Sequence, residues 1–126
     1  MTGTGPQVLV IEDNDKNMKL LRDVLQAIGY ATLEAETGEE GVELACTHQP
    51  SLVLMDVQLP GISGVEALQR LRQDERTSET PVLALTAQAM SGDRERFLGA
   101  GFDGYLAKPI DVTELIATVR EHCHAG

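Results

Sequence analysis

The chain has 126 residues, 42% hydrophobic and 24% charged, which is the size and make-up of one globular domain and excludes disorder. Folding at this length buries roughly two thirds of the surface the unfolded chain exposes, so the core needs neither a metal nor a disulfide. Twenty acidic against ten basic residues leave a net charge of −10, which repels phosphate backbones and anionic membranes and makes nucleic acid a poor partner.

Residues 1–6, Met-Thr-Gly-Thr-Gly-Pro, are expected to be a short flexible leader, since they lack the basic end and apolar stretch of a signal peptide. Val8-Leu9-Val10-Ile11 is the first of four short apolar strings; Leu52-Val53-Leu54-Met55, Val82-Leu83-Ala84-Leu85 and the weaker Tyr105-Leu106-Ala107 follow. Uninterrupted apolar runs of this length predict strands buried on both faces, as in parallel sheets. A membrane span needs ~20 such residues. A cytoplasmic protein is therefore expected, with Cys46 and Cys123 as reduced thiols. No Trp and only four Phe or Tyr residues leave too little for a base-stacking surface.

After the first strand, Leu21, Val24, Leu25 and Ile28 fall at i, i+3, i+4 and i+7, and Gly29 stops the helix they predict. Residues 30–35 alternate and carry Glu34, as an edge strand would. Thr37-Gly-Glu-Glu40 and Ser63-Gly-Val-Glu66 match capping boxes, each opening a helix. Val42, Ala45 and Cys46 line the second helix, with Pro50 beyond its end; Leu68 and Leu71 line the third. Residues 73–80 are polar and read as a surface loop. A fourth helix over residues 91–100 stops at Gly101. Asp111-Val-Thr-Glu114 opens a fifth, continued by Leu115, Ile116 and Val119 to about His122. No repeat or low-complexity tract interrupts this order. Five alternations of strand and helix predict an α/β fold with right-handed crossovers: a five-stranded parallel sheet of order 2-1-3-4-5 flanked by five helices, flavodoxin-like.

In such sheets ligands bind outside the carboxyl ends of the strands. Those ends carry Glu12 and Asp13, Asp56, Thr86, and Lys108 followed by Pro109. With strands 1 and 3 adjacent, Glu12, Asp13 and Asp56 come close together. Clustered carboxylates repel unless a cation lies between them, and an all-oxygen set suits Mg²⁺. A carboxylate beside that ion and a lysine is a candidate nucleophile toward phosphorus, with Thr86 placed to donate to the phosphate formed. Other features carry less. His122-Cys123-His124 has poor metal-ligand spacing at a fraying end, Met18, Met90 and Cys46 read as packing residues, and residues 34–43 read as a solvated face with a cap.

Taken in order, Val8-Leu-Val-Ile-Glu-Asp-Asn14, Leu54-Met-Asp-Val-Gln-Leu-Pro-Gly61 with Gly64, Leu85-Thr-Ala87, Ala100-Gly-Phe-Asp-Gly-Tyr105 and Lys108-Pro-Ile110 resemble the receiver domain of two-component response regulators, of the chemotaxis-regulator, stand-alone or hybrid-kinase kind. The resemblance covers about residues 7–122 and implies a receiver domain over 7–123. It further implies that Asp56 is the phosphoacceptor and that Glu12 and Asp13 organise Mg²⁺ (Mn²⁺ as a substitute), Asp13 more directly. The Gln58 carbonyl would be a further metal ligand. Lys108 would be the family's lysine, with a cis bond to Pro109. Thr86 would be the switch hydroxyl, Ala87 the small residue whose N–H nears the phosphate, and Tyr105 the switching aromatic. Gln58 and Gln88 fall where dephosphorylation is tuned. A histidine kinase or histidine phosphotransfer protein would donate the phosphoryl group to Asp56, water would later remove it, and a downstream protein would read the change. On that reading the domain catalyses only its own modification.

Two alternatives weigh less. A haloacid-dehalogenase-type aspartyl phosphatase wants a second Asp two residues after the nucleophile, where Gln58 stands, and a cap insertion. A flavodoxin-type flavin binder wants a Ser/Thr/Gly-rich loop after the first strand, where Glu12-Asp13-Asn14-Asp15 stands. Met90, Arg94 and Leu98, at i, i+4 and i+8, are expected to give the fourth helix a mixed apolar and basic side for a protein partner.

Overall fold

The computed structural model describes residues 6–59, 61–87 and 93–122. Among these lie β1 (Gln7–Ile11), α1 (Asp15–Ala27), β2 (Ala31–Ala35), α2 (Gly38–His48), β3 (Leu52–Asp56), α3 (Gly64–Gln73), β4 (Val82–Thr86), α4 (Asp93–Ala100), β5 (Gly104–Ala107) and α5 (Val112–His122). The strands form one parallel sheet in the order β2-β1-β3-β4-β5. This is the expected architecture, with β2 at one edge.

The apolar strings follow from having a helix layer on each face. Alternate residues of one strand point to opposite faces. Val8, Val10, Leu52, Leu54, Leu83, Leu85 and Leu106 join Met18, Leu21, Leu25, Leu115 and Val119 of α1 and α5 in one core. Leu9, Ile11, Val53, Met55, Val82 and Ala84 join Ala45, Ala67, Leu68, Leu71 and Phe102 in the other. β3 and β4 are buried along their whole length. Each fully buried Leu, Ile or Met contributes about 1.5–3 kcal/mol, so a sheet sunk between two such cores makes a rigid base for whatever its ends carry.

Helix starts follow the cap signals, with one difference. Thr37 Oγ1 accepts from Glu40 N (3.1 Å) and Ser63 Oγ from Glu66 N (3.2 Å). Neither box closes reciprocally: the Glu40 carboxylate accepts from Glu36 N (2.9 Å), and Glu66 pairs with Arg70 (3.1 Å). A glutamate reaches whichever donor lies nearest, and an arginine four residues on is a competing one. Asp111 caps α5 by accepting from Glu114 N (2.9 Å). Gly29, at φ +97°, ends α1 in the left-handed region as expected.

The polar stretch at 73–80 departs from a simple surface loop. Gln73 still belongs to α3, and Thr77 is fully buried, its hydroxyl donating to Leu71 O (2.6 Å). Cys46 is a buried free thiol 3.4 Å from Asp74 Oδ2. Burial, and then that neighbouring carboxylate, push its pKa up, which keeps it an inert core thiol. Met18 packs in the core as expected. Pro60, Gln88, Met90, Ser91, Cys123, His124 and the leader up to residue 5 lie outside the described residues, as does the Arg94 side chain.

Candidate functional site

The carboxyl ends of β1, β3, β4 and β5 open on one edge of the sheet. β1 delivers Glu12, whose N–H still extends the sheet by donating to Ala35 O (3.0 Å). The Glu12 side chain turns inward, 1% exposed, and its Oε2 accepts from Asn14 N (3.2 Å). Asn14 in turn caps α1 by accepting from Asn17 N (3.0 Å), and this fixes the turn that leaves Asp13 exposed.

β3 delivers Asp56, 5% exposed. Both its carboxylate oxygens are held: Oδ1 accepts from Gln58 N (2.8 Å) and Oδ2 from Lys108 Nζ (2.8 Å). The same ammonium lies 2.7 Å from Glu12 Oε1. That contact is a charge contact without hydrogen-bond alignment, so the buried Oε1 has no aligned donor. One lysine thus joins the ends of β1 and β3 from the end of β5. Burial pushes the Glu12 pKa up, the Lys108 contact opposes this, and the Asp56 carboxylate adds to it. For Lys108, burial disfavours the charge, but the bonds to Asp56 and Glu12 outweigh it and hold the ammonium protonated.

Oxygen atoms of Glu12, Asp13 and Asp56 lie within 4.8 Å of one another. When ionised, three carboxylates face one ammonium and two negative charges stay uncompensated. An all-oxygen donor set with one solvent-facing member, an orphaned buried oxygen and that charge excess fits Mg²⁺.

Thr86 ends β4, 2% exposed, and its carbonyl accepts from Lys108 N (2.7 Å). It pairs with Ala107 across the sheet, while Leu85 pairs with Asp56, so Thr86 sits one strand from the acid cluster. Ala87 follows it, exposed. The Lys108–Pro109 bond is cis. Tyr105, in β5 beside Ala84, is half-buried against the core on the α3 side. The Gln58 side chain is exposed, and its backbone meets Asp56 through the N–H named above.

Sequence reasoning quoted Gly64 only as part of a motif. A Cβ there would lie 2.7 Å from both Asp56 O and Val57 Cα, and Gly64 N donates to Val57 O (3.2 Å). The start of α3 therefore packs directly on the backbone of the acid-bearing strand end. A glycine just after a Ser cap was the available signal, but not its reason.

Comparison with known proteins agrees with this geometry. The family model "Response regulator receiver domain" matches residues 8–120. The chain is 45% identical over 115 residues to the polar-differentiation response regulator DivK of Brucella ovis and of Brucella suis, covering 91% of this chain and 94% of theirs. Its fold is similar to the receiver domain of the sensor histidine kinase PA1611 of Pseudomonas aeruginosa, solved with magnesium in the active-site cleft (TM-score 0.88, 34% identity, 95% and 98% covered). It is also similar to the receiver domain of Saccharomyces cerevisiae Ssk1, solved with the histidine phosphotransfer protein Ypd1 (TM-score 0.86, 29% identity, 95% and 91% covered). The phosphatase alternative finds no support in these matches.

Proposed function

The chain belongs to the response regulator receiver domain family and serves two-component signalling, and from that premise we propose that Asp56 is the residue that takes the phosphoryl group. The observation that carries this is the double hold on its carboxylate, by Lys108 Nζ and Gln58 N, inside the acid cluster. An Asp56 oxygen attacks the phosphorus of a partner phosphohistidine. A P–O bond forms, the P–N bond breaks, and the electron pair stays on the imidazole nitrogen. Lys108 neutralises charge on the phosphoryl oxygens. Glu12, Asp13, Asp56 and the Gln58 carbonyl would hold Mg²⁺, or Mn²⁺ in its place, and the ion when bound supplies further charge neutralisation. Thr86 and the Ala87 N–H receive the phosphate, and water later cleaves the acyl phosphate. The unit spans 7–123, catalyses only its own modification, and works in the cytoplasm. Among the described residues no helix is long and apolar enough to cross a membrane.

The donor is a histidine kinase or histidine phosphotransfer protein, a reading supported by the Ssk1–Ypd1 neighbour. The reader is a downstream protein at the face of α4, β5 and α5, where Leu98, Tyr105, Glu114 and Thr118 line an open groove of ≈ 320 Å³. Intact-mass measurement tests the chemistry: acetyl phosphate with Mg²⁺ should add one phosphoryl group, and chelation should prevent it. Mg²⁺ at millimolar concentration should raise the melting temperature by relieving carboxylate repulsion, and Asp13→Ala should lose most of that rise. A melting curve indifferent to Mg²⁺ would refute the metal assignment.

Thr86→Ala should still accept phosphate at near wild-type stoichiometry while losing most of the roughly 5- to 150-fold coupling between phosphorylation and partner affinity. Phosphorylation stoichiometry and partner affinity, measured side by side, separate the two roles. Loss of phosphorylation itself would move Thr86 from the switch to the chemistry.

A further inference from the structure

The far end of the sheet, opposite the acid cluster, carries a second polar junction. Arg72, next to last in α3, sends its guanidinium across three segments. Nη1 donates to Thr80 O (2.6 Å) and more loosely to Ser78 O (3.3 Å) and Thr77 O (3.4 Å). Nη2 donates to Gly101 O (3.3 Å), just past α4, and to Asp103 Oδ2 (3.0 Å), just before β5. The same Asp103 oxygen accepts from Val82 N (2.8 Å), and Asp103 N donates to Val82 O (2.8 Å). The end of α3, the loop before β4, the end of α4 and the first rung between β4 and β5 are thus tied at one point. A planar fork with five donors in fixed geometry suits this better than a compact ammonium with three rotatable donors, which cannot span acceptors on so many segments.

α4 packs chiefly on β5, and its last turn runs into Gly101. Thr86 lies at the opposite end of β4 from Val82. A segment held at one end and pulled from the other turns about the held end.

We propose that Arg72 and Asp103 form the fixed pivot of α4, so that movement begun at Thr86 is delivered as a tilt of α4 and not as a slide of the whole α4–β5 layer. Arg72 is a positioning residue in this account and touches nothing at Asp56. The proposal rests on the reading of Thr86 as the switch residue.

Amide hydrogen exchange with and without beryllofluoride, on wild type, Arg72→Ala, Arg72→Lys and Asp103→Asn, tests it. Wild type should change protection across residues 93–107 when beryllofluoride binds. In all three variants residues 101–104 should exchange faster without beryllofluoride. The beryllofluoride-induced change over 93–107 should shrink by about 2- to 30-fold, the range by which residues on a coupling route alter coupling. Phosphorylation by acetyl phosphate should stay within about twofold of wild type, because the acid cluster is untouched. Asp103→Asn keeps the side-chain shape and decides the matter if Arg72→Ala fails to fold. Faster exchange confined to residues 74–81, with a wild-type response over 93–107, overturns the pivot alone. A wild-type chain that does not respond to beryllofluoride overturns the switch reading and the pivot with it.

Discussion

Asp56→Asn protein incubated with Mg²⁺ and acetyl phosphate should keep the mass of the unmodified chain, while wild type gains about 80 Da, the phosphoryl group of an acyl phosphate. The amide keeps the shape of the side chain but has one acceptor oxygen where Asp56 has two, so it can keep only one of the bonds from Gln58 N and Lys108 Nζ. It lacks the nucleophilic oxygen. Glu12 and Asp13 are not expected to substitute: Glu12 is buried with one oxygen on Asn14 N, and Asp13 is exposed to solvent. An undiminished gain in the variant would sink the assignment of Asp56. A residual gain that Glu12→Gln then removes would transfer the role to Glu12.

Gly64→Ala should cost about 1–3 kcal/mol of stability, the usual penalty for forcing an extra methyl into a filled space. Here the atoms met at 2.7 Å are Asp56 O and Val57 Cα, both backbone, so no side chain can swing aside. Relief has to come from displacing the end of β3 or the start of α3. Phosphorylation should therefore slow along with the loss of stability. Gly99→Ala is the matched control. Nothing lies within 4 Å of a Cβ at Gly99, in the last turn of α4, and alanine there should be neutral or stabilising, by less than the ~1 kcal/mol seen in helix interiors. Urea midpoints and phosphorylation rates of the two variants, taken together, check this. Equal midpoints for Gly64→Ala and wild type would show that the close approach carries no strain.

Much of this architecture is legible in the amino-acid order because it is set by local rules. Four-residue apolar strings have one economical use, a strand covered on both faces, and β1, β3 and β4 are such strands. Thr37, Ser63 and Asp111 start helices because a side-chain oxygen placed there meets an orphan N–H. The placement of Glu12, Asp13, Asp56, Thr86 and Lys108 at strand ends follows once the strands are known. What no local rule supplies is contact between distant segments. Thr77 reads as solvated until α3 and its loop are seen to fold over it. Arg72 reads as one of a pair of basic residues flanked by acids until Gly101 and Asp103, about thirty residues on, come to meet it. The reach of Glu40 to Glu36 N depends on the entry path of the chain before Thr37, which the capping pattern does not encode.

The span of chain between Asp56 and Lys108, 52 residues, has a consequence for synthesis. The carboxylates are made first and emerge from the ribosome without the cation that faces them. A chain that ends before residue 108 lacks the ammonium that faces Glu12 and Asp56 in the finished structure. The charge balance of the cluster is therefore completed late, by a lysine that directly follows β5. Domains fold as units as the chain is completed, and here the acid cluster gains its cation from one of the last strand-end residues to be made.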